Sequence, residues 1–139
     1  MRVAVITVVC VCFVYAQDVG HVFLGSERDM ANRHKMAMEC IDEVGIDKRI
    51  IEVVLKTTIF PKNDRKYREF LACSYKKQGY QTAQGHIMIN KIKEFTSSVY
   101  EDKKDLSELD KCAGMNGTTH GDVAYNTMVC VMNKLKTLD

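Results

Sequence analysis

Cys40, Cys73, Cys112 and Cys130 carry the most specific chemistry in this chain, with 32, 38 and 17 residues between them. No C-x2-C pair occurs, so thiolate metal binding is not indicated. Cys10 and Cys12 lie in a different context. Met1-Arg2 gives a short positive start, Val3 to Val14 is almost unbroken apolar sequence, and Val14-Tyr15-Ala16 puts small residues where a signal peptidase inspects. Residues 1–16 therefore read as a secretory signal peptide, too short to span a membrane, and 17–139 as the mature domain. The mature chain keeps four cysteines, and an even number in a small secreted domain points to a disulfide framework. Four cysteines allow three pairings, and spacing alone does not choose among them.

The other reactive side chains form no constellation. His21, His34, His86 and His120 lack metal-ligand spacing, and neither a nucleophile elbow nor a glycine-rich phosphate loop is present. The carboxylates read as helix caps and solvated faces. No catalytic residue, metal or cofactor is expected.

Charge narrows the partners. Lys and Arg total 20 against 18 Asp and Glu, a balance of +2 that falls to about +1 once Arg2 leaves. Basic residues are dispersed, with Lys76-Lys77 and Lys103-Lys104 the largest clusters, so nucleic acid is an unexpected partner. No second apolar run reaches membrane length, which predicts a soluble extracellular protein without stable membrane insertion. Asn116-Gly117-Thr118 is a glycosylation sequon.

The elements that must position the cysteines are helical. After an arm over 17–25, Ser26-Glu27-Arg28-Asp29 resembles a capping box, and Met30, Ala37, Ile41 and Val44 recur at helical spacing up to Gly45. A second helix starts at Asp47 and stops at Phe60-Pro61. Asn63 or Asp64 caps a third, carrying Tyr67, Phe70, Leu71 and Cys73 and ending at Gly79. A fourth holds Ile87, Met88, Ile92 and Phe95 and frays into Thr96-Ser97-Ser98. Asp105-Leu106-Ser107-Glu108 opens a fifth, with Leu106, Leu109 and Ala113 inward. Thr119-His120-Gly121-Asp122 opens the last, apolar around most of its circumference from Val123 to Leu135 and so expected at the centre. The fold class is all-α: a compact six-helix, disulfide-linked domain enclosing an apolar cavity.

These features together resemble the insect odorant-binding proteins of the pheromone- and general-odorant-binding family, over essentially the whole mature chain. That family carries six cysteines spaced C…C-x3-C…C-x8-C. With Cys73 as the third, the second falls on Glu69; with Cys130 as the sixth, the fifth falls on Gly121. The two absent cysteines are bridge partners in the family, so their joint loss leaves no orphan thiol. Gln78-Gly79-Tyr80 with Gly85, and Ala124 on the last helix, match family positions. The resemblance implies a four-cysteine ("minus-C") member with Cys40–Cys73 and Cys112–Cys130 intact. The missing bridge would have joined the third helix to the last, leaving that pair to packing. Restoring both cysteines is expected to raise the melting temperature and slow ligand exchange.

Apolar residues at helical spacing are core by default. The resemblance promotes Met36, Val54, Leu55, Phe60, Phe70, Ile87, Met88, Ile92, Phe95, Met115, Val123, Met128 and Met132 to ligand-lining candidates, methionine suiting an adaptable site. Tyr75, Tyr80 and Tyr125 are candidate hydroxyls for orienting a ligand. His34 reads as a rim residue, and a His120–Glu69 contact follows from the family pairing. The nine residues after Cys130 are too few to enter a cavity in acid, as a longer tail does in some relatives. The implied function is a secreted carrier that binds small hydrophobic molecules such as odorants or pheromones, delivering them to a membrane receptor. The alternatives are a haemolymph or secretion-fluid carrier of lipid-like ligands and, less favoured, a helical signalling protein with a filled core.

Overall fold

The computed structural model describes the backbone of residues 27–99 and 105–138, with side chains over 31–98 and 105–137. The leader, the arm over 17–25 and the Ser26 cap lie outside the described residues.

Helix α1, Glu27–Val44, buries Ala37, Cys40 and Ile41 on one face. Its partner in sequence, α2 (Lys48–Thr57), begins where the Asp47 carboxylate accepts the Arg49 N–H at 2.9 Å, satisfying a donor the helix cannot pair internally. Ile51, Val54 and Leu55 face inward. The helix stops at Thr58 rather than at Phe60-Pro61: Thr58 takes a left-handed conformation (φ 54°) and returns its N–H to the Val54 carbonyl.

Asp64 caps α3 (Arg65–Gln78) by accepting the Tyr67 N–H at 3.0 Å. This helix buries Tyr67, Phe70, Leu71, Ala72, Ser74 and Tyr75. It ends at Gly79, whose φ of 84° is open to glycine at little cost.

Beyond Gly79 the chain departs from the expected fourth helix. Residues Tyr80 to Met88 double back, with Met88 N–H on the Tyr80 carbonyl (2.7 Å) and Gln81 bridged antiparallel to Ile87. Ile87 and Met88 therefore precede α4, which runs Ile89–Val99. Thr96 does not fray: it is buried, and its hydroxyl donates to the Ile92 carbonyl at 2.8 Å.

The fifth element is a 3-10 helix, Ser107–Cys112, entered by the Asp105 carboxylate accepting the Ser107 N–H at 2.9 Å. Three residues per turn put Leu106, Leu109 and Cys112 on one side. Leu109 and Cys112 are buried, and Ala113, expected inward on an α-helical reading, is exposed.

Helix α5, His120–Leu138, starts on a reciprocal capping box: Asp122 N–H donates to the Thr119 hydroxyl (3.0 Å) and Thr119 N–H to the Asp122 carboxylate (3.2 Å). It is the central helix, with Ala124, Thr127, Met128 and Val131 wholly enclosed and Tyr125, Met132 and Leu135 buried beside them. Thr137 and Leu138, expected in a short tail, continue this helix.

Two disulfides lock the frame. Cys40–Cys73 joins α1 to α3, and Cys112–Cys130 joins the 3-10 helix to α5. Closing loops of these lengths stabilises a fold by about 3–4 kcal/mol each on a chain-entropy basis. The protein is all-α, with no strand among the described residues beyond the single Gln81–Ile87 bridge.

Candidate functional site

Successive residues of an α-helix turn by about 100°, so the burial pattern of α5 assigns its faces. Tyr125 and Met128 look onto α3, where Tyr67 meets the Tyr125 ring edge-on at 6.5 Å and its hydroxyl lies 3.8 Å from the Met128 sulfur. Cys130 looks toward the 3-10 helix through its disulfide. Ala124, Thr127 and Val131 occupy the arc between those two faces and point into the molecule. Among the described residues α5 packs closely on α3 and on the 3-10 helix, but not to a comparable extent on α1 or α4.

The sequence-derived lining residues divide by position. Val54 and Leu55 of α2, Phe70 of α3, Ile92 of α4, and Met128 and Met132 of α5 are buried. Phe60, Ile87 and Phe95 are half-buried against this core, and Met36, Met115 and Val123 are also half-buried. Met88 is 42% exposed and stands outside the core.

One end of the interior is closed by a polar and aromatic cluster that spacing alone did not reveal. Arg33 of α1 donates to the Gln78 side-chain oxygen (2.7 Å) and the Tyr80 hydroxyl (3.1 Å) while its guanidinium lies 3.8 Å over the Phe95 ring. Tyr80 in turn packs on Tyr75 and Phe95, at 5.5 and 6.1 Å between centroids. The cation is held by a planar acceptor and an aromatic face together, which tie α1, the end of α3 and α4 to one another. Tyr125 is buried, and His34 is exposed.

The seam between α3 and the start of α5, around Glu69 and Gly121, is built differently from the expectation. A Cβ at Gly121 would stand 2.8 Å from the Arg68 carbonyl oxygen, so α5 approaches the α3 backbone at a distance only glycine permits. The Arg68 side chain then fastens the two helices. It donates to Asp122 at 3.0 Å and to the Lys62 carbonyl, and its guanidinium lies 4.2 Å over the Tyr125 ring. This ion pair is about three-quarters covered, with the two side chains 24% and 27% exposed. The hydrogen bond from Arg68 holds the Asp122 carboxyl below the usual carboxylate range, and the Thr119 N–H adds to the effect. The α3–α5 seam is therefore packed, as expected, but closely enough that a restored bridge requires the helices to part.

An open groove of about 850 Å³ runs along this seam, lined by Glu69 and Gly121 together with Lys76, His120 and other charged groups. His120 makes no hydrogen bond or ion pair with Glu69 there. Its Nδ1 lies 2.7 Å from the Lys76 ammonium, and Glu69 pairs with Arg65 at 3.4 Å, one turn away on its own helix. Gly85 (φ 93°) passes so near the His120 ring that a Cβ would lie 2.5 Å from it, and Gln81 donates to the His120 carbonyl at 3.1 Å. The Gln81–Gly85 turn thus seats the start of α5. A second open depression, about 470 Å³ and mainly apolar, lies under Val53, Ile59 and Pro61 on the outer face of α2. Among the described residues no group of three or more His, Cys, Asp or Glu is placed to hold a metal ion, and no helix is long and apolar enough to cross a membrane.

Comparison with curated proteins and comparison with solved structures each give no match. Comparison with family models does give one, over residues 26–134. That span takes in all four bridged cysteines, the Arg68–Asp122 seam and the enclosed arc of α5. The chain belongs to the PBP/GOBP family, the soluble odorant- and pheromone-binding proteins of insects.

Proposed function

We propose that this protein is a secreted carrier that takes small hydrophobic molecules, odorants, pheromones or similar semiochemicals, into an internal apolar site and delivers them to a membrane receptor. The family match over residues 26–134 carries this reading. Family members are secreted binding proteins rather than enzymes, and removal of residues 1–16 would release the mature chain. The wholly buried arc Ala124–Thr127–Val131 of α5 and the buried apolar residues around it support the reading. Moving an apolar ligand from water to such an interior gains roughly 25 cal/mol per Å² of apolar area buried. The four cysteines of residues 17–139, with Glu69 and Gly121 at the positions the resemblance assigns to a bridged pair, support reading the chain as a four-cysteine member of the family.

The site would be lined by the buried members of the candidate set, Val54, Leu55, Phe70, Ile92, Met128 and Met132, with Phe95 and its cluster at one end. N-Phenyl-1-naphthylamine tests the proposal in the oxidised mature protein, whose emission background is low because the sequence has no tryptophan. Saturable micromolar uptake, reversed by volatile esters, alcohols or fatty acids, is expected. A folded protein with both disulfides formed and no uptake would instead have a filled core, and the search would move to a protein partner.

A further inference from the structure

We infer that the Thr127 hydroxyl is the polar anchor of the interior, so that the carrier selects ligands bearing one hydrogen-bonding group, an alcohol or carbonyl, over hydrocarbons of equal length. This deepens the carrier reading and rests on it.

Thr127 is 0% exposed, and its Oγ1 has no hydrogen-bond partner among the described residues. Threonine inside a helix ordinarily removes that problem by bonding back to the preceding turn. Three other threonines do so: Thr57 to Val53, Thr96 to Ile92 and Thr137 to Lys134, at 2.7–2.8 Å. Thr96 is as buried as Thr127, so burial alone does not prevent the bond. At Thr127 the hydroxyl is instead left open to another partner, at a free-energy cost that valine of the same shape would avoid. Thr127 lies between Ala124 and Val131 on the wholly buried arc of α5, so any partner for its hydroxyl must be a group inside the molecule. A hydroxyl in apolar surroundings discriminates between ligands mainly by what it leaves unpaired. A hydrocarbon leaves Oγ1 unsatisfied, whereas an alcohol or carbonyl pairs with it. A net hydrogen bond of the usual strength corresponds to about threefold to tenfold in affinity.

The test displaces N-phenyl-1-naphthylamine with 1-octanol and with n-octane, in the wild-type protein, Thr127→Val and Thr127→Ser. The wild type is expected to prefer octanol by about threefold to tenfold more than Thr127→Val does, with octane affinity unchanged or improved in the valine variant. Thr127→Ser should keep the octanol preference. A merely structural threonine would shift both ligands together. An undiminished octanol preference in folded Thr127→Val overturns the anchor while leaving the carrier intact. Absence of probe uptake by the wild type overturns both. Should the valine variant fail to fold, Thr127→Ala gives the same comparison, and retention of the preference there overturns the anchor equally.

Discussion

At Gly121 two helix backbones come together, and the Arg68 side chain fastens them. Gly121→Ala would place a methyl group 2.8 Å from the Arg68 carbonyl. The helices must then separate slightly, and a loss of about 1–3 kcal/mol in urea unfolding is expected. The same crowding revises the effect of Glu69→Cys with Gly121→Cys: the new bridge must first overcome the clash, so its gain should fall below the usual value for a loop of that length. Arg68→Met keeps the aliphatic stem and removes the charge. Because the Arg68–Asp122 pair retains some contact with water, the loss in urea unfolding should be smaller than that of a fully buried pair. Asp122 adds a pH signature. Its folded carboxyl titrates below the ordinary value of about 3.9, so its contribution is complete above that pH and is lost as pH falls through the lower folded value. The stability gap between wild type and Asp122→Asn should stay flat from neutral pH to about 5 and close below about 4.

Elements whose limits depend on local chemistry are legible in the sequence. Asp47, Asp64 and Gly79 each act within three residues of their own position, and each marks a helix end where expected. Limits set by distant contacts are not. Ile87 continues a helical apolar pattern in sequence but is drawn into a bridge with Gln81, and Thr58 ends α2 before Pro61 can. The 3-10 helix has the spacing Leu106–Leu109–Cys112, which an α-helical reading absorbs only by turning Ala113 inward. That short element depends heavily on its covalent link, since isolated 3-10 turns are weak. Replacing Cys112 and Cys130 with serine should cost about 3 kcal/mol. Amide exchange should rise most over Ser107–Cys112, while α3 stays protected.

Across the whole molecule, apolar periodicity and helix caps made the all-α frame legible, and cysteine spacing with the leader and short motifs made the family legible. The interior was legible only in outline. Periodicity finds apolar faces without distinguishing packed core from ligand lining, and so grouped exposed Met88 with enclosed Met128. Thr127 did leave a trace: it is the polar member of an otherwise apolar i, i+3, i+7 series between Ala124 and Val131. Arg68–Asp122 and Arg33–Phe95 left none, since the partners lie far apart in sequence. The central claim is that a small apolar molecule enters this interior, and methyl NMR of methionine-labelled mature protein titrated with 1-octanol tests it most directly. Saturable shifts are expected at the enclosed methyls of Met128 and Met132, with Met88 unmoved. Shifts confined to Met88, or none in a folded protein, would contradict it.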